Sequence, residues 1–282
     1  MTRTAITVLI AASSFASTSA LAAAFAMVTD LKGEAWVLEG AKPPRKLSLL
    51  GYIESPAQIK VDPAGKLAVT YFSSGVQYSF AGPARVALDT AAAKVIEGQA
   101  AVFKKVTPEK AIGSGLTTEQ WRRLQQAVIV MRAVRPSFSV VGPDDTVVLD
   151  STPEFEWTVA PGAKGYRLVV YGADNNIVYE GTTQQNLLRV GTALQPGKHY
   201  RWKVDPLGVS RPSSPQGSFT VADEAIRDRF VAMRQAAGGE LPARTFYATS
   251  LEAQGYSHDA RAEWKALARD YPAEAEITLR SR

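Results

Sequence analysis

Two closely spaced glutamates are the residues of this chain whose types and spacing most suggest catalysis. Glu154 and Glu156 are separated by one residue, so a strand places both carboxylates on the same face. Glycosidases need such a pair on either side of a sugar in a cleft, about 5–9 Å apart. Carboxylates on an exposed strand are instead usually solvated, and the surrounding sequence indicates no cleft. We therefore predict that neither glutamate is catalytic.

The histidines and the missing cysteines exclude most other active sites. His199 and His258 are the only two histidines, and the chain has no cysteine. Thiolate nucleophiles, disulfides, cysteine-bound zinc and three-histidine metal centres are therefore excluded. His199 is expected to point outward from a strand, and His258 to cap a helix or lie exposed at its start. Gly113-Ser114-Gly115 lacks the lysine of a phosphate-binding loop.

These absences predict a protein with no catalytic residue, no cofactor and no metal site, and hence no enzymatic activity. A hydrolase that uses only Ser, Asp and Glu is the least favoured alternative. Hydrophobic residues make up 46% of the 282 residues and charged residues 21%, which is too apolar for a disordered chain. The net charge of +5 is modest, and basic and acidic residues are interspersed. We predict no nucleic-acid partner, and the densest basic stretch is expected to be a solvated helix face, with Arg122, Arg123, Arg132 and Arg135.

Residues 1–26 have the layout of a secretory signal peptide. Arg3 gives a basic start, and an uncharged run rich in small residues extends from Ala5 to Leu21. An uncleaved membrane anchor is the alternative, but this run is barely long enough to span the ~30 Å hydrocarbon layer. Export of a chain without cysteine fits a bacterial periplasm better than a eukaryotic secretory route. We predict a periplasmic or secreted bacterial protein with no stable membrane insertion after cleavage.

Two motifs could serve as the cleavage site of this signal peptide. Small residues alternate in Ala20-Leu21-Ala22 and again in Ala24-Phe25-Ala26. Because Asp30 and Lys32 follow the second motif closely, we predict that Ala24 and Ala26 define the site and that the cut falls before Met27.

Residues 27–112 are predicted to form an all-β domain. Short segments of alternating apolar residues are separated by Gly- and Pro-rich turns, a pattern typical of small β domains. Asp62-Pro63-Ala64-Gly65 and Ser73-Ser74-Gly75 are each predicted to be hairpin connections. The predicted strands are Ala35–Leu38, Ile59–Val61, Leu67–Phe72, Val76–Phe80 and Arg85–Leu88.

Three segments of this region match a known periplasmic module. They are Leu50-Gly51-Tyr52-Ile53, the residues from Leu67 to Tyr78, and those from Gly82 to Leu88. Together they resemble the FecR-like periplasmic domain. FecR regulators carry a cytoplasmic segment and a membrane span before this domain, whereas only Met1 to Thr4 precede the apolar run here. The resemblance implies an exported β domain that meets other envelope proteins, without the transmembrane signalling half.

Five aromatic side chains of this domain admit two interpretations. On strands with period-2 alternation, aromatic residues usually pack in the core or against each other across strands. Exposed, coplanar rings would instead form a platform for stacking sugars, which is the basis of an alternative function, the binding of cell-wall or surface glycan. Core packing is expected for the five, which are Trp36, Tyr71, Phe72, Tyr78 and Phe80.

Residues 113–135 are predicted to form a linker helix. Thr117-Thr118-Glu119-Gln120 has the form of a capping box, and Pro136 ends the segment. An apolar stripe at helical spacing is expected to dock on one of the β domains, with a helical partner as the alternative, and it consists of Trp121, Leu124, Val128 and Met131.

Residues 136–222 are predicted to form an immunoglobulin-like sandwich. Phe155 and Trp157 share one strand face, and Asp174-Asn175-Asn176 is a predicted hairpin turn. The segments Phe155-x-Trp157, Gly162 to Leu168 and Leu194 to Val204 are similar to fibronectin type III and related bacterial Ig-like domains. The resemblance implies that Tyr200 makes the tyrosine-corner hydrogen bond to the upstream backbone. Such sandwiches host many unrelated binding roles.

Residues 223–282 are predicted to form a helical tail. Helices are expected from Asp223 to Gln235, from Leu241 to Gln254 and from His258 to Asp270. The last two resemble one tetratricopeptide unit, which needs neighbours to bury its faces, so it is expected to pack on the preceding helix or on a partner chain. Deletion of 240–282 is expected to leave both β domains folded. The matching residues are Ala248, Leu251, Gly255, Ala260, Trp264, Leu267 and Pro272.

The sequence as a whole predicts a mainly β protein: a FecR-like β domain, a linker helix, a fibronectin III or Ig-like sandwich and a C-terminal helical hairpin. Each part resembles modules that hold other macromolecules. We predict a non-enzymatic, protein-binding or scaffold protein of the bacterial envelope, whose partners are envelope proteins of unknown identity. The residues that contact a partner are not predicted.

Overall fold

The computed structural model describes residues 24–38, 43–105, 138–210 and 213–281. The predicted linker helix at 113–135, with its apolar stripe and basic stretch, lies outside them. The described chain is mainly β, with eighteen strands followed by four helices. None of these helices is long and apolar enough to cross a membrane.

The N-terminal module consists of ten strands in two antiparallel sheets. One sheet has the order β10-β7-β6-β1-β4 and the other β3-β2-β5-β8-β9, and their apolar faces enclose one core. β1 was not predicted, because its first residues were assigned to the signal peptide. The strands are β1 (Ala24–Lys32), β2 (Ala35–Leu38), β3 (Arg45–Lys46), β4 (Tyr52–Glu54), β5 (Ala57–Val61), β6 (Lys66–Tyr71), β7 (Val76–Ala81), β8 (Ala84–Leu88), β9 (Ala93–Glu97) and β10 (Val102–Lys105).

Only one of the two predicted hairpins is a hairpin. Ser73-Ser74-Gly75 connects β6 to β7, which pair with each other. Asp62-Pro63-Ala64-Gly65 connects β5 to β6, which lie in different sheets, so the prediction is wrong there. A glycine-ended turn suits both a hairpin and a crossing between sheets. β1 decides between the two, because it pairs with β6 and so occupies the position that β5 would take in a hairpin.

Gly82 lies where this crossing meets the return crossing from β7 to β8. Its backbone N–H donates to the Gly65 carbonyl oxygen at 2.8 Å. A Cβ on Gly82 would stand 1.7 Å from the carbonyl oxygen of Asp62, which is far inside van der Waals contact. The two crossings therefore approach each other only because residue 82 has no side chain.

We expect Gly82→Ala to lower the free energy of unfolding by about 1–3 kcal/mol or more, because backbone must move to admit the methyl group. Gly191→Ala is the matched control, since a Cβ at Gly191 has no neighbour within 4 Å, and it should change stability by less than about 0.5 kcal/mol. Urea unfolding followed by tryptophan fluorescence measures both. Equal stability of the two variants would contradict the close approach.

Residues 138–222 form a fibronectin III or Ig-like sandwich, as predicted. A sheet of order β11-β13-β16 packs on one of order β12-β18-β17-β14-β15 around a core that includes Phe155 and Trp157. Asp174–Asn176 connects the paired strands β14 and β15, which confirms that hairpin. The strands are β11 (Val140–Gly142), β12 (Thr146–Val148), β13 (Glu154–Trp157), β14 (Gly165–Tyr171), β15 (Ile177–Thr183), β16 (Leu187–Arg189), β17 (His199–Leu207) and β18 (Gln216–Val221).

The tyrosine corner is confirmed. Tyr200 lies near the start of β17, and its hydroxyl oxygen accepts a hydrogen bond from the backbone N–H of Gln195 at 2.9 Å. The ring itself is buried and stacks on Phe219 with 5.6 Å between ring centroids. Tyr200 therefore fixes the corner before β17 to the core.

Four helices complete the chain, and they agree with the predicted bounds to within two residues where predictions were made. They are α1 (Glu224–Ala237), α2 (Leu241–Ala253), α3 (Ser257–Asp270) and α4 (Ala275–Arg280). α4 was not predicted, because Pro272 was taken as the end of the helical region. Gly255, with φ +86°, turns the chain between α2 and α3.

The helices and both β modules share one apolar core. Ala248, Leu251 and Trp264 of the helices are fully buried. They belong to a cluster with residues of the N-terminal module and the sandwich, namely Ala24, Met27, Leu49, Leu50, Phe72, Leu149 and Ala222. The α2–α3 pair thus packs on its own chain. Because deletion of 240–282 would expose Met27 and Phe72, this arrangement argues against our expectation that both β domains survive it.

We expect Ala248→Leu to destabilise the whole molecule by about 1–3 kcal/mol, because the core around Ala248 has no space for three more carbons. Ala236→Leu on the exposed side of α1 is the control and should be neutral within about 0.5 kcal/mol. Thermal unfolding by calorimetry measures both changes. A separate, lower-temperature transition of the helices, with the melting of the β modules unchanged, would show that the core is not shared.

Candidate functional site

The densest group of ionisable side chains facing a cavity lies between α3 and the sandwich. A cleft of about 230 Å³ separates the helix from β13 and its neighbours. The α3 wall carries His258, Arg261, Lys265 and Arg269, at spacings that place them along one side of a helix. The sandwich wall carries Asp150, Glu154, Glu156 and Arg189. We call this group the α3 cleft.

The Gly255 turn positions α3 against β12. The Thr146 hydroxyl donates to the Gly255 carbonyl oxygen at 3.1 Å, and the Ser257 hydroxyl donates to Thr146 Oγ1 at 3.0 Å. Two further bonds follow along the helix: the Leu149 N–H donates to Asp259 Oδ2 at 3.1 Å, and Arg261 Nη1 donates to a sandwich carbonyl oxygen at 2.7 Å. Polar contacts therefore hold this side of the helix.

Opposite charges pair across and beside the cleft. Lys265 Nζ lies 2.7 Å from Glu156 Oε2 and joins α3 to β13. On the sandwich wall, Arg189 Nη1 lies 2.6 Å from Asp150 Oδ2. Glu154 and Arg269 have no ion-pair partner among the described residues. Of these two ion pairs, Lys265–Glu156 joins the two walls and Arg189–Asp150 lies within the sandwich wall.

Burial perturbs the two groups at the start of α3. The pKa of His258 is lowered to about 4, chiefly by burial, with the nearby Arg261 adding to the effect and Glu156 opposing it. Burial also raises the pKa of Asp259 to about 7, with Asp150 adding to the rise and the Leu149 N–H opposing it. At neutral pH the imidazole is therefore uncharged, and the carboxyl is close to half protonated.

The raised pKa of Asp259 predicts a pH-dependent contribution to stability. The folded chain holds this proton between about pH 4 and pH 7 while the unfolded chain does not, so stability falls as the pH rises through that window. His258 acts in the opposite direction: its lowered pKa means that stability is lost as the pH falls from about 6.5 towards 4. The two effects offset each other below pH 6.5.

We expect Asp259→Asn to raise the melting temperature at pH 8 relative to the unmodified chain, because Asn keeps an acceptor for Leu149 without a buried charge. At pH 5, where Asp259 is protonated, the difference should shrink or reverse. Asp174→Asn, at an exposed turn, is the control and should show no such pH trend. Calorimetric melts at pH 5 and pH 8 measure this. A pH-independent difference for Asp259→Asn would contradict the raised pKa.

The residues that line the α3 cleft include no pair of a nucleophile and a base. The residues that line it include no serine, threonine, tyrosine or cysteine, so His258 has no nucleophile beside it to activate. Glu156 is neutralised by Lys265, which leaves Glu154 without a second free carboxylate. Among the described residues, no group of three or more Asp, Glu or His side chains could hold a metal ion.

The two predicted glutamates meet different surroundings. Glu154 is exposed, as expected, whereas Glu156 pairs with Lys265. The expectation that no cleft lies near them is wrong, because the cleft is made by α3, more than a hundred residues further along the chain. The expectation for His258 is also wrong: its ring makes no cap, and a Cβ on Gly142 would lie 3.0 Å from its Nδ1. His199 is exposed as predicted, with Nδ1 3.3 Å from Thr220 Oγ1.

The five aromatic residues of the N-terminal module do not form a platform. Tyr71, Phe72 and Phe80 are buried, which confirms core packing for them. Tyr78 is half-buried and packs edge-on against Tyr71, and Trp36 is half-buried beneath the Lys46 ammonium. No two of these rings are both exposed.

A second charged cluster lies inside the helical region. The Arg244 guanidinium on α2 is buried, pairs with Glu263 at 2.6 Å, and also pairs with Asp270. Arg234 of α1 contacts the same Glu263 at 3.2 Å. Desolvation lowers the pKa of Arg244, but its two carboxylate partners outweigh it and the pKa is raised. This cluster fastens three helices together.

Sequence reasoning missed the groups that define the α3 cleft. The spacing of His258, Arg261, Lys265 and Arg269 was a usable signal, since it marks one charged side of α3. Nothing in the sequence indicated that β13 lies opposite. Ala24 and Ala26, predicted as the signal cleavage residues, lie within β1, and the cleavage itself stays a prediction.

Comparisons with known proteins identify no family. No protein family and no curated protein matches the chain. Among solved structures, a two-domain fibronectin type III segment from chicken tenascin is 9% identical over 69% of this chain and 93% of its own length, with a TM-score of 0.22. A β-1,2-glucanase from Parabacteroides distasonis is 10% identical over 85% of this chain, which spans less than half (47%) of the enzyme, with a TM-score of 0.21. At these TM-scores neither similarity carries an argument, so the sandwich is assigned from its own strand order.

Proposed function

We propose that this chain is an exported, non-enzymatic scaffold protein of the bacterial envelope that binds other proteins. The single observation that carries the proposal is the distribution of exposed apolar side chains. Among the described residues, five of the nine large apolar side chains that are exposed lie on strands at the edge of a sheet, namely β9, β10, β15 and β16. These five are Ile96, Val102, Phe103, Ile177 and Leu187.

Two of these edge strands combine exposed apolar side chains with charged ones: β9 carries Lys94 and Glu97, and β10 carries Lys104 and Lys105. The outer strand of a sheet presents unpaired N–H and C=O groups, and proteins commonly protect such edges with charged residues, prolines or bulges. Val102 and Phe103 of β10 are 70% and 74% exposed. A segment of another protein could add a strand to such an edge and cover its apolar side chains.

The arrangement of the modules supports the same function. A shared helical core joins the two β modules, so a partner bound to one module is held at a set position relative to the other. Charged side chains of the α3 cleft hold the helices on the sandwich, through the Lys265–Glu156 pair and the Arg261 hydrogen bond. No catalytic group is evident there. The FecR-like character of residues 27–112, the tetratricopeptide-like character of the α2–α3 pair and the signal peptide belong to this proposal, since the sequence alone supports them.

The alternative of glycan binding gains no support from the aromatic residues. Stacking on sugars needs flat, exposed rings, and three of the five rings are buried. Phe103 is exposed, but among the described residues its aromatic contact is with the half-buried Tyr78 at a 46° tilt. The pair presents no common plane to a sugar.

We expect partners to be captured at the sheet edges. A photo-crosslinking amino acid is placed at Val102 or at Ile177 of the full chain, which is expressed in bacteria and irradiated in the cell. Each position should give an adduct of discrete mass that protease degrades. Val159, which is 64% exposed but lies in a loop, is the matched control and should give none.

Two results would count against the proposal. Equal adducts from Val159 would show that crosslinking reflects exposure alone, and no adduct at either edge would remove the partner site. An adduct that cell-wall hydrolases degrade and proteases leave intact would instead support glycan binding.

A further inference from the structure

The first strand of the fold begins inside the predicted signal peptide. β1 starts at Ala24, so a cut before Met27 removes its first three residues. We infer that the exported chain is instead cut between Ala22 and Ala23, at the earlier Ala20-Leu21-Ala22 motif. This inference rests on the proposed export.

The backbone of Ala24 to Ala26 is integrated into the sheet. Ala24 pairs with Glu54 of β4, and Ala26 pairs with both Ile53 of β4 and Tyr71 of β6. The Phe25 carbonyl oxygen accepts a hydrogen bond from the Phe72 N–H at 3.1 Å. A chain that begins at Met27 would leave these partners on β4 and β6 without a strand between them.

The side chains of the same residues fill two cores. Ala26 is fully buried in the core of the N-terminal module, and the Phe25 ring packs edge-on against Tyr71 with 5.2 Å between centroids. Ala24 is buried in the core shared with the helices. Loss of Phe25 removes a buried ring, which is among the costliest deletions in a core.

The charge of the new N-terminus distinguishes the two cuts further. Met27 is fully buried, with Tyr52 and Thr70 as its strand partners. A free amine there, with a pKa of about 8 and hence largely protonated, would place an ammonium group in an apolar interior without a counter-ion. An ammonium at Ala23 instead immediately precedes Ala24, whose strand partner is the exposed Glu54.

The reaction is hydrolysis of one peptide bond by a signal peptidase. Water adds across the Ala22–Ala23 bond, the carbonyl of Ala22 becomes a carboxylate, and the nitrogen of Ala23 leaves as the amine. Ala20 and Ala22 supply the two small residues that the enzyme requires. The cut occurs before folding, so only the choice of site decides whether β1 is complete.

The test is the N-terminal sequence of the exported protein. The full chain, tagged at its C-terminus, is expressed in a Gram-negative bacterium, and the periplasmic product is analysed by intact mass and N-terminal sequencing. We expect the product to begin at Ala23. Ala22→Leu should no longer give a product that begins at Ala23, whereas the matched Ala26→Val should be processed at the same position as the unmodified chain.

The outcomes separate this inference from the proposed function. A periplasmic product that begins at Phe25 or Met27 overturns the inference and leaves export intact, whereas an uncut chain that stays in the cytoplasm overturns the export itself. As a second measurement, chains that begin at Ala23 and at Met27 are purified and melted. The shorter chain should melt roughly 10 °C lower, and equal melting temperatures would overturn the structural reason for the earlier cut.

Discussion

A helix that is buried on nearly every side is the constraint on which the other contacts of this molecule depend. Eleven of the thirteen residues of α2 are buried, so its side chains are mostly apolar and several of the polar ones find partners within the protein. Thr249 and Ser250 donate their hydroxyls to carbonyl oxygens one turn earlier in the helix. The Arg244 guanidinium is neutralised by two carboxylates of α3. With these groups satisfied, α2 can pack on the N-terminal module, α1 and α3 at once.

The two β modules meet the helices through interfaces of opposite character. α2 packs on the N-terminal module through apolar and hydroxyl groups, with Thr249 Oγ1 3.8 Å from Met27 Sδ. α3 meets the sandwich through hydrogen bonds and the Lys265–Glu156 pair beside a cleft. Apolar contacts change little with salt or pH. Exposed ion pairs weaken at high salt and at a pH where one partner loses its charge. The contacts that solution conditions weaken are therefore the Lys265–Glu156 pair at the sandwich and the exposed Lys104–Glu240 pair at the N-terminal module.

Local elements were predictable from the sequence, and their partners were not. The alternation of apolar residues predicted β2, β5 to β8 and most of the sandwich. The resemblance to fibronectin type III domains implied the corner bond of Tyr200, which spans five residues. β1 was missed because Ala24-Phe25-Ala26 satisfies a cleavage motif and a strand equally well. The turn at Asp62 was misassigned because its outcome depends on β1, and the α3 cleft was missed because Glu156 and Lys265 are 109 residues apart. Each failure concerns a contact between distant segments, which no local pattern encodes.

The order of the elements along the chain has a consequence for how the molecule is made. β1 lies in the first described segment and α2 near the end, yet Thr249 contacts Met27 across 222 residues. While the chain emerges from the ribosome, the side chains of Ala24 and Met27, which belong to the core shared with the helices, have no cover until the last forty or so residues are synthesised. Such separated contacts slow folding and lengthen the time during which apolar surface is exposed. The last contacts of β1 therefore form only after α2 has been synthesised.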